Sequence, residues 1–358
     1  MKLFFDARFI RTDFHDGISR YSWSLANNLY ALDPSVTFMI QDKAQLNLLP
    51  KGVNYIMFSE YESPKELLSG YNLAKFKPDV VFSPMQLLRP HKSYKLILTV
   101  HDLIYYHHAT PPPQVRLWAQ IGWRLYHLSY WPQRLALHGA AHVAVVSKNT
   151  KHDVIQAKLT KKPISVVYNA PNDLTQHVKK VVNKKVENLV YMGSFMPYKN
   201  VETLIAGMNY LPGRTLHLLS RITPQRKRQL EKLVPTNAKV IFHNGVSDEQ
   251  YAKVLANNAA LVSASRDEGF GLPIAEAMNL GVPVVLSDIP AHREVAAQAG
   301  TFFDVNLPAK FAAAVKVLDN DKKRQNLVKL GKMQVKQFDW AKSAQTILDI
   351  ARGLYEKA

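Results

Sequence analysis

The hydrophobic and polar positions of this chain alternate between short apolar runs and stretches with helical spacing. One apolar run, Ala-Ala-Leu-Val-Ser at 259–263, is rich in β-prone residues and predicts a buried strand. Helical spacing is clearest at Tyr21, Leu25, Leu29 and Leu32. The same criteria predict further strands at 2–6, 36–41, 53–58, 78–84, 94–102, 141–147, 164–169, 188–192, 216–221 and 240–242. This alternation predicts α/β architecture with two doubly wound domains and a ligand cleft between them.

The 358 residues suffice for two domains of ordinary size. A polar stretch at 171–187 carries four lysines and predicts the linker, although lysines in such a run are also commonly just solvated. We therefore expect an N-terminal domain at 1–172 and a C-terminal domain at 188–336. The tail at 337–358 is expected to contain a helix.

Residues 265–278 follow the predicted strand at 259–263 and have the composition of a ligand-binding loop. Gly269 and Gly271 allow the backbone to approach a ligand closely. Pro273 suits a first helical turn, and Gly281 can cap the helix end near Leu280. A strand, a glycine loop and a helix N-terminus in this order predict an anion site, most often for phosphate.

Two carboxylates, Glu268 and Glu276, flank this loop at a spacing of eight positions. One hypothesis is that both point into one cleft, one towards a polar ligand group and the other towards a ribose diol. The simpler interpretation is that Glu276, placed in the first helical turn, only favours the helix dipole, while Glu268 is a solvated loop residue.

The composition limits the classes of protein to which this chain can belong. Hydrophobic residues make up 47% of the chain, which favours a packed core over disorder. The absence of cysteine excludes disulfides, cysteine nucleophiles and thiolate metal sites, and fits a cytosolic protein. The N-terminal apolar run is too short for a signal peptide, and no apolar run is long enough to span a bilayer.

The formal net charge of +18 is compatible with nucleic acid, an anionic membrane face or a phosphorylated ligand. The sequence has no zinc-finger spacing and no RNP-like aromatic motif, so a nucleic-acid partner rests on charge alone.

Residues 111–138 interleave aromatic and basic side chains, and predict an amphipathic helix that can lie in a membrane interface. The alternative is that the aromatic residues pack inside the N-terminal domain or line an acceptor cleft, and the two interpretations are compatible. The side chains concerned are Trp118, Trp123, Tyr126, Tyr130, Trp131, Arg116, Arg124 and Arg134.

The stretch Glu-Gly-Phe-Gly-Leu-Pro-x-x-Glu at 268–276 resembles the E-x7-E signature of retaining glycosyltransferases of the large GT-B family four. Residues 277–285 and 287–295, with Gly300 beyond, fit the same pattern, so the match is more specific than a single glycine motif. The resemblance implies the GT-B fold, two Rossmann-like domains facing across a cleft. It also implies that the tail helix crosses back onto the first domain, anchored by Trp340.

The resemblance implies roles in the donor-binding domain. Lys199, in a Pro-x-Lys-Asn element, would neutralise the donor diphosphate together with Arg266 and the amides near Gly271. Glu276 would hold the ribose hydroxyls. Glu268 would hold the sugar, most simply at O3 and O4, and is a weaker candidate for a nucleophile. The donor-binding residues expected are Gly17, Ser194, Lys199, Gly245, Val246, Arg266, Glu268, Gly269, Phe270, Gly271, Leu272 and Glu276.

The chain departs from the family pattern at two places. Many members have Gly-Arg where this chain has Gly193-Ser194, so a two-cation clamp would need Arg266 or Arg221. Many relatives also have a glycine near the end of the strand at 216–221, and this chain has none. Gly245 and Val246 resemble the edge of a nucleotide-base pocket, and a plain strand-to-helix turn is a serious alternative.

In the N-terminal domain, His101 and Asp102 follow an apolar strand, at the strand end where open α/β sheets bind ligands. The resemblance places the histidine beside the transferred sugar, near O6, and the loop containing Gly17 near the diphosphate. Arg20, Tyr21 and Asp102 would lie on the acceptor side. Taken alone, His101 would be a loop histidine, Gly17 a turn glycine and Arg20 a solvated side chain.

The resemblance implies a retaining, metal-independent hexosyltransferase without a cofactor, in which a diphosphate oxygen accepts the proton of the acceptor. The Gly-Ile-x-Arg-Tyr loop is similar to that of mannosyltransferase-like members and favours GDP-mannose, with UDP-glucose or another UDP-hexose as the alternative. The basic, aromatic N-terminal domain favours a lipid-linked or glycolipid acceptor at the inner membrane face of a cytoplasmic, peripheral protein; a soluble acceptor is the alternative. A catalytically silent GT-B module, a sugar-nucleotide epimerase or phosphorylase and a charge-driven nucleic-acid-binding protein are the competing hypotheses.

Overall fold

The computed structural model describes residues 1–13, 16–111 and 117–357. The chain divides into two compact units, one of Met1–Asn169 with Phe338–Ala358, and the other of Ala170–Gln337. Within the described residues, every helix is too short or too polar to cross a bilayer.

Each unit is built on one parallel sheet. The first sheet contains β1 Leu3–Asp6, β2 Thr37–Ile40, β3 Asn54–Met57, β4 Val80–Ser83, β5 Lys95–Val100, β6 His142–Val145 and β7 Ile164–Val166. The second contains β8 Asn188–Tyr191, β9 Thr215–Leu218, β10 Lys239–Phe242, β11 Ala259–Ser263, β12 Val284–Ser287 and β13 Gly300–Phe303.

The strand orders are β3-β2-β1-β4-β5-β6-β7 and β10-β9-β8-β11-β12-β13. Both orders reverse direction next to the first strand of the unit, as in doubly wound nucleotide-binding folds. The predicted strands are confirmed, and their ends differ from the predicted ends by at most three residues.

The helices surround these sheets. In chain order they are α1 Gly17–Leu32, α2 Ser69–Ala74, α3 Ile104–His107, α4 Leu117–His127, α5 Trp131–His138, α6 Lys148–Gln156, α7 Val201–Gly207, α8 Pro224–Glu231, α9 Asp248–Leu255, α10 Leu272–Leu280, α11 Pro290–Ala296, α12 Pro308–Lys316, α13 Asp321–Gln334 and α14 Trp340–Tyr355.

The helix α14 completes the first unit. It packs against α1, and the Ser343 hydroxyl donates to the Tyr168 carbonyl at 2.8 Å. The Trp340 ring meets the edge of Tyr21 with the ring centroids 5.9 Å apart. Tyr21, Leu25 and Leu29 form the buried face of α1, as their spacing predicts, and Leu32 at the helix end is exposed.

A buried arginine ties together the part of the first sheet where the strand order reverses. Arg8, which is 1% exposed, directs its guanidinium to Asp6 at 2.8 Å and to Glu66 at 2.7 Å. Asp6 also accepts from the hydroxyl of Ser83 on β4 at 3.1 Å. Burial raises the pKa of Glu66 and the Arg8 contacts oppose that rise. This cluster lies at the carboxyl ends of β1 and β4, where the strand order reverses.

The polar stretch at 171–187 belongs to the second unit and does not stand apart from it as the linker prediction implied. The Val182 amide donates to the Ala256 carbonyl at 2.7 Å, and the Lys184 amide donates to the Asn258 side chain at 3.1 Å. Its lysines at 179, 180, 184 and 185 are exposed, so the segment is polar in side chains but hydrogen-bonded through its backbone.

Residues 117–138 form two helices, so the prediction of a single amphipathic helix is wrong over this part. Helix α4 ends at His127 and α5 begins at Trp131 with Pro132 in its first turn, where proline cannot supply the amide that would continue α4. Arg116 and the side chain of Trp118 lie outside the described part of the structure.

Candidate functional site

The candidate site of the second unit lies where the order of its sheet reverses, between β8 and β11. The segment after β8 carries Ser194 and Lys199, and the segment after β11 carries Arg266 and Glu268. Because β8 and β11 are parallel neighbours, both segments leave the sheet at the same edge. Ligands of doubly wound sheets bind at this edge.

Lys199 and Glu268 form an ion pair across this reversal. Their Nζ and Oε1 atoms are 2.5 Å apart, and the two side chains are only 14% and 13% exposed. The Ser265 hydroxyl also donates to Oε1 of Glu268, at 2.8 Å. Burial raises the pKa of Glu268, but Lys199, His292 and these hydrogen bonds outweigh burial and hold the pKa below its usual value. Glu268 is therefore an ionised, held carboxylate rather than a solvated loop residue.

Buried polar groups connect Ser265, which binds Glu268, to Ser287 and His292. The sequence analysis assigned no role to these three residues. The Ser287 hydroxyl donates to the Ser265 carbonyl at 2.5 Å. Nδ1 of His292 lies 2.9 Å from the Ser287 carbonyl, which can only accept, so Nδ1 carries the proton. His292 is fully buried, and its Nε2 has no hydrogen-bond partner among the described residues. Burial lowers the pKa of His292 and the charge of Glu268 opposes that fall.

The loop before α10 has the predicted order of strand, glycine loop and helix. Gly271 has φ +94°, in the left-handed region, and a Cβ there would lie 2.9 Å from the Ile274 side chain. Gly281 ends the helix with φ +85°. Gly269 and Phe270 are buried and Leu272 is half-buried. Without a side-chain cap, the N-terminus of α10 presents its backbone amides as the sequence predicts.

Glu276 lies in the second turn of α10 rather than in the first, because the helix begins at Leu272. Its side chain is nearly buried, at 4% exposure, and accepts a hydrogen bond from the Asn172 amide at 2.9 Å. The interpretation in which Glu276 only favours the helix dipole does not explain this burial. The carboxylate is instead fixed in orientation by a residue 104 positions away.

Arg266 supplies a second cation near Lys199. Its backbone amide donates to the Tyr198 carbonyl at 2.8 Å, and its exposed guanidinium donates to Asn306 at 2.5 Å and to Asn200 at 3.4 Å. Ser194 is exposed. Arg221 lies elsewhere, against Gly245. Of the two arginines considered for a clamp, Arg266 is therefore the one bound directly to the Lys199 segment.

Gly245 and Val246 form the turn between β10 and α9. Gly245 has φ +102°, and its amide donates to the Leu219 carbonyl at 2.8 Å, so this amide does not remain for a nucleotide base. Val246 is half-buried and precedes Ser247, which caps α9. Gly245 is therefore a residue of a strand-to-helix turn. Contact between Val246 and a nucleotide base stays a prediction.

In the first unit, His101 follows β5 with a defined proton position. Its Nε2 lies 2.7 Å from the Pro84 carbonyl, so Nε2 carries the proton. Burial lowers the pKa of His101, while Pro84 and Asp16 partly oppose the fall, so the ring is neutral near pH 7 and its Nδ1 is an acceptor. The Asp102 carboxylate accepts from the Ile104 amide at 3.1 Å and starts α3.

Two expectations about α1 need correction. Gly17 is the first residue of the helix rather than a loop residue, and Asp16 caps that helix through the Ser19 amide. Tyr21 is fully buried, with its ring centroid 5.0 Å from that of His101, so it supports His101 and does not present its ring to solvent. Arg20 is half-buried in the same helix.

Over the described ranges, no group of three or more His, Cys, Asp or Glu side chains is arranged to hold a metal ion.

Two family models match the chain. The one described as glycosyl transferases group 1 matches residues 172–334, and the one described as glycosyltransferase family 4 matches residues 15–172. Together they extend over most of both units.

Curated relatives match at modest identity. The O-antigen chain mannosyltransferase B of Escherichia coli is 34% identical over 167 residues, covering 44% of each chain. The O-antigen chain mannosyltransferase RfbU of Salmonella typhimurium is 26% identical over 196 residues, covering 52% of this chain and 53% of that one. A GDP-mannose:cellobiosyl-diphosphopolyprenol alpha-mannosyltransferase of Xanthomonas oryzae is 24% identical, covering 73% and 68%. The matched part spans about half the length of the first two relatives.

Solved structures match over the whole chain. Sucrose-phosphate synthase of Thermosynechococcus elongatus has a TM-score of 0.75 at 18% identity and covers 100% of both chains. HepE of Anabaena, in complex with UDP and glucose, has a TM-score of 0.71 at 16% identity and covers 99% and 100%. At these identities the similarity establishes the fold alone.

The ion pair predicts how stability should depend on pH. Lys199→Met leaves the Glu268 carboxylate buried without its cation, which costs about 3–5 kcal/mol for a buried pair. In the variant, burial is less opposed and raises the pKa of Glu268 above its usual value, whereas in the wild type that pKa is depressed. The difference in Tm should therefore be largest at pH 7 and shrink as pH falls towards 4, because protonation removes the buried charge.

The matched control is Lys253→Met, which breaks the exposed Lys253–Glu249 pair at 2.6 Å. That variant should keep the wild-type Tm across the same pH range. A Tm difference for Lys199→Met that does not change with pH would show that the pair has no electrostatic role.

Proposed function

The chain belongs to the glycosyltransferases of group 1 and family 4 and has their GT-B fold of two Rossmann-like units, and we propose that it transfers mannose from GDP-mannose with retention of the anomeric configuration. The glycosyl transfer, the donor, the stereochemistry and the acceptor are all parts of this proposal. The observation that carries the proposal is the Lys199–Glu268 pair beside the N-terminus of α10.

The choice of donor follows from the relatives. Several are named mannosyltransferases, and one is named for GDP-mannose. A UDP-hexose is the alternative, supported by the fold-related HepE, whose structure was determined with UDP and glucose. We favour GDP-mannose because the mannosyltransferases are related to this chain in sequence, whereas HepE matches in fold at 16% identity.

The mechanism proposed is electrostatic. Lys199, Arg266 and the amides at the start of α10 would stabilise the negative charge that develops on the leaving diphosphate. Glu276 would bind the ribose hydroxyls, and Glu268 would bind the sugar hydroxyls. A diphosphate oxygen would accept the proton of the attacking hydroxyl, so no separate base is assigned. The protein cations would take the electrostatic role of a metal ion, and no cofactor is involved.

His101 would contribute through its fixed tautomer. With the Nε2 proton held by the Pro84 carbonyl, the neutral ring offers Nδ1 as an acceptor for a sugar hydroxyl such as O6. A cationic ring would instead repel the positive charge that develops on the sugar in the transition state. Keeping the pKa of His101 low therefore supports the proposed role.

The acceptor proposed is a lipid-linked or glycolipid sugar at the inner face of the cell membrane. Helices α4 and α5, with the residues between them, expose a set of apolar side chains next to the exposed Arg124 and Arg134, which suits an anionic interface. The apolar residues are Ile121, Leu125, Leu128, Trp131 and Leu135. A soluble acceptor is the alternative, and nucleic acid is not favoured because only net charge supports it.

Nucleotide binding tests the donor. GDP and GDP-mannose should raise the Tm of the wild type, since a ligand at a hundred times its Kd adds about 2.7 kcal/mol. UDP and ADP should give smaller shifts. Glu276→Ala and the milder Glu276→Gln should lose most of the GDP shift, because the ribose would lose its carboxylate, and Glu249→Gln on the surface of α9 should keep it.

If only UDP species shift the Tm, the mannose donor is wrong. If no nucleotide shifts it, the proposed donor site at α10 is wrong.

The product tests the mechanism. In a transfer assay with GDP-α-mannose and a panel of octyl glycosides, NMR of the new linkage should show the α configuration. Excess chelator should leave the rate unchanged, because Lys199 and Arg266 carry the charge stabilisation. A β-linked product would refute retention, and a chelator-induced loss restored by Mg²⁺ would refute metal independence.

Vesicle sedimentation tests the membrane surface. The wild type should sediment with vesicles rich in phosphatidylglycerol and much less with neutral phosphatidylcholine vesicles, with binding that weakens as salt rises. A variant with Leu125, Leu128 and Trp131 changed to Ser should remain in the supernatant. The control changes the equally exposed Leu67, Leu68 and Tyr71 to Ser and should still sediment. Equal sedimentation of both variants would exclude this surface.

A further inference from the structure

A cavity of about 250 Å³ opens in the first unit, beside the carboxyl ends of β4 and β5. Asp102, which directly follows His101, contributes to its lining. Ligand pockets for drug-sized molecules are larger, about 300–1,000 Å³. The volume therefore suits one small ring, placed next to the histidine that we assign to the transferred sugar.

Two side-chain amides form a polar floor in this cavity. The Gln133 amide donates to the Gln86 carbonyl, and Gln86 in turn donates to the Thr99 carbonyl at 3.2 Å. Gln133 is buried, at 6% exposure. An amide side chain has two donors and two acceptor positions, so these contacts use only part of what the pair can offer. A hydroxyl group both donates and accepts hydrogen bonds. The two amides and the Asp102 carboxylate together offer donors and acceptors for several such groups.

Another part of the lining is aromatic and includes His127. The His127 ring lies 4.9 Å from the Tyr106 ring and 5.0 Å from the Tyr126 ring, centroid to centroid. Its Nδ1 is fixed by the Trp123 carbonyl at 2.8 Å, so that nitrogen carries the proton. Burial lowers the pKa of His127, so the ring is neutral and Nε2 is an acceptor. Flat aromatic rings give large contact area to the C–H faces of a ring ligand.

We propose that this cavity binds a pyranose ring of the acceptor, with its C–H face on Tyr126 and Tyr106 and its hydroxyls on Gln86, Gln133 and Asp102. This inference rests on the proposed function and specifies its acceptor as a saccharide at the point of transfer. Aromatic rings with a carboxylate could also enclose an organic cation, and aromatic rings alone could enclose an alkyl chain. The buried amide pair favours the saccharide, because neither of those ligands would satisfy it.

The test is direct binding of methyl glycosides to the full chain, without donor. Saturation-transfer NMR with the methyl α- and β-glycosides of mannose, glucose, galactose and N-acetylglucosamine should show at least one weak ligand. Tyr126→Ala should weaken that ligand by about fivefold or more, the loss expected for one aromatic contact. Tyr55→Ala is the matched control, because Tyr55 lies in the same unit with the same 43% exposure and does not line the cavity.

A second variant removes the polar floor without leaving an unpaired amide. Changing Gln86 and Gln133 together to Leu replaces both members of the amide pair by apolar groups of similar size, which is much less costly than changing one, and only the Thr99 carbonyl loses the donor that it has from Gln86. This double variant should keep its Tm near that of the wild type and should lose glycoside binding. Unchanged glycoside binding in both Tyr126→Ala and the double variant would overturn the proposal.

Two competitor ligands separate the other occupants. If tetramethylammonium binds at this cavity and no glycoside does, the cavity is a cation site. If hexanol binds at this cavity, more tightly in the double variant, and no glycoside does, the cavity holds an alkyl chain; either result overturns the proposal. Nucleotide shifts are read separately in the second unit, so glycoside binding without nucleotide binding would defeat the proposed donor and leave this subsite standing.

Discussion

The ion pair of Lys199 and Glu268 is the interaction on which the candidate site depends. Two charged side chains that are mostly removed from water are expensive to keep apart, so the pair holds the segments after β8 and β11 together. Ser265 adds a hydrogen bond to the same carboxylate oxygen and thereby fixes its direction. The glycine loop and α10 follow directly from this anchor, which places a cation, a carboxylate and a helix N-terminus within one short stretch.

The two units use the same sheet topology in different ways. In the second, the point of strand reversal is lined by groups that suit a diphosphate ligand. In the first, Arg8 with Asp6 and Glu66 occupies that position. The candidate functional groups of the first unit lie one strand further along the sheet. They are His101, at the end of β5, and the cavity beside it. The topology places the strand ends at one edge of each sheet. The buried charged residues determine which part of that edge is accessible to a ligand.

Local features were predictable from the sequence, and features that join distant residues were not. The strand at 259–263, the glycine loop and the end of α10 at Gly281 follow from rules that act over a few residues, and the structure has them as predicted. The contact of Asn172 with Glu276 joins residues 104 positions apart, and no local pattern marks it. His292 was part of a recognised stretch, but its place behind Glu268 depends on the packing of α11 against β12.

The Arg8 cluster has a consequence for recombination between relatives. Arg8 and Glu66 are 58 residues apart in sequence but share one buried contact. A chimera with a crossover anywhere between them takes the two partners from different parents. Unless both parents carry the same charges, the hybrid would bury Glu66 without its cation, or would leave Arg8 with Asp6 in place of its two carboxylates. Viable exchanges in the first unit should therefore fall after residue 66, with the whole N-terminal segment inherited as a block.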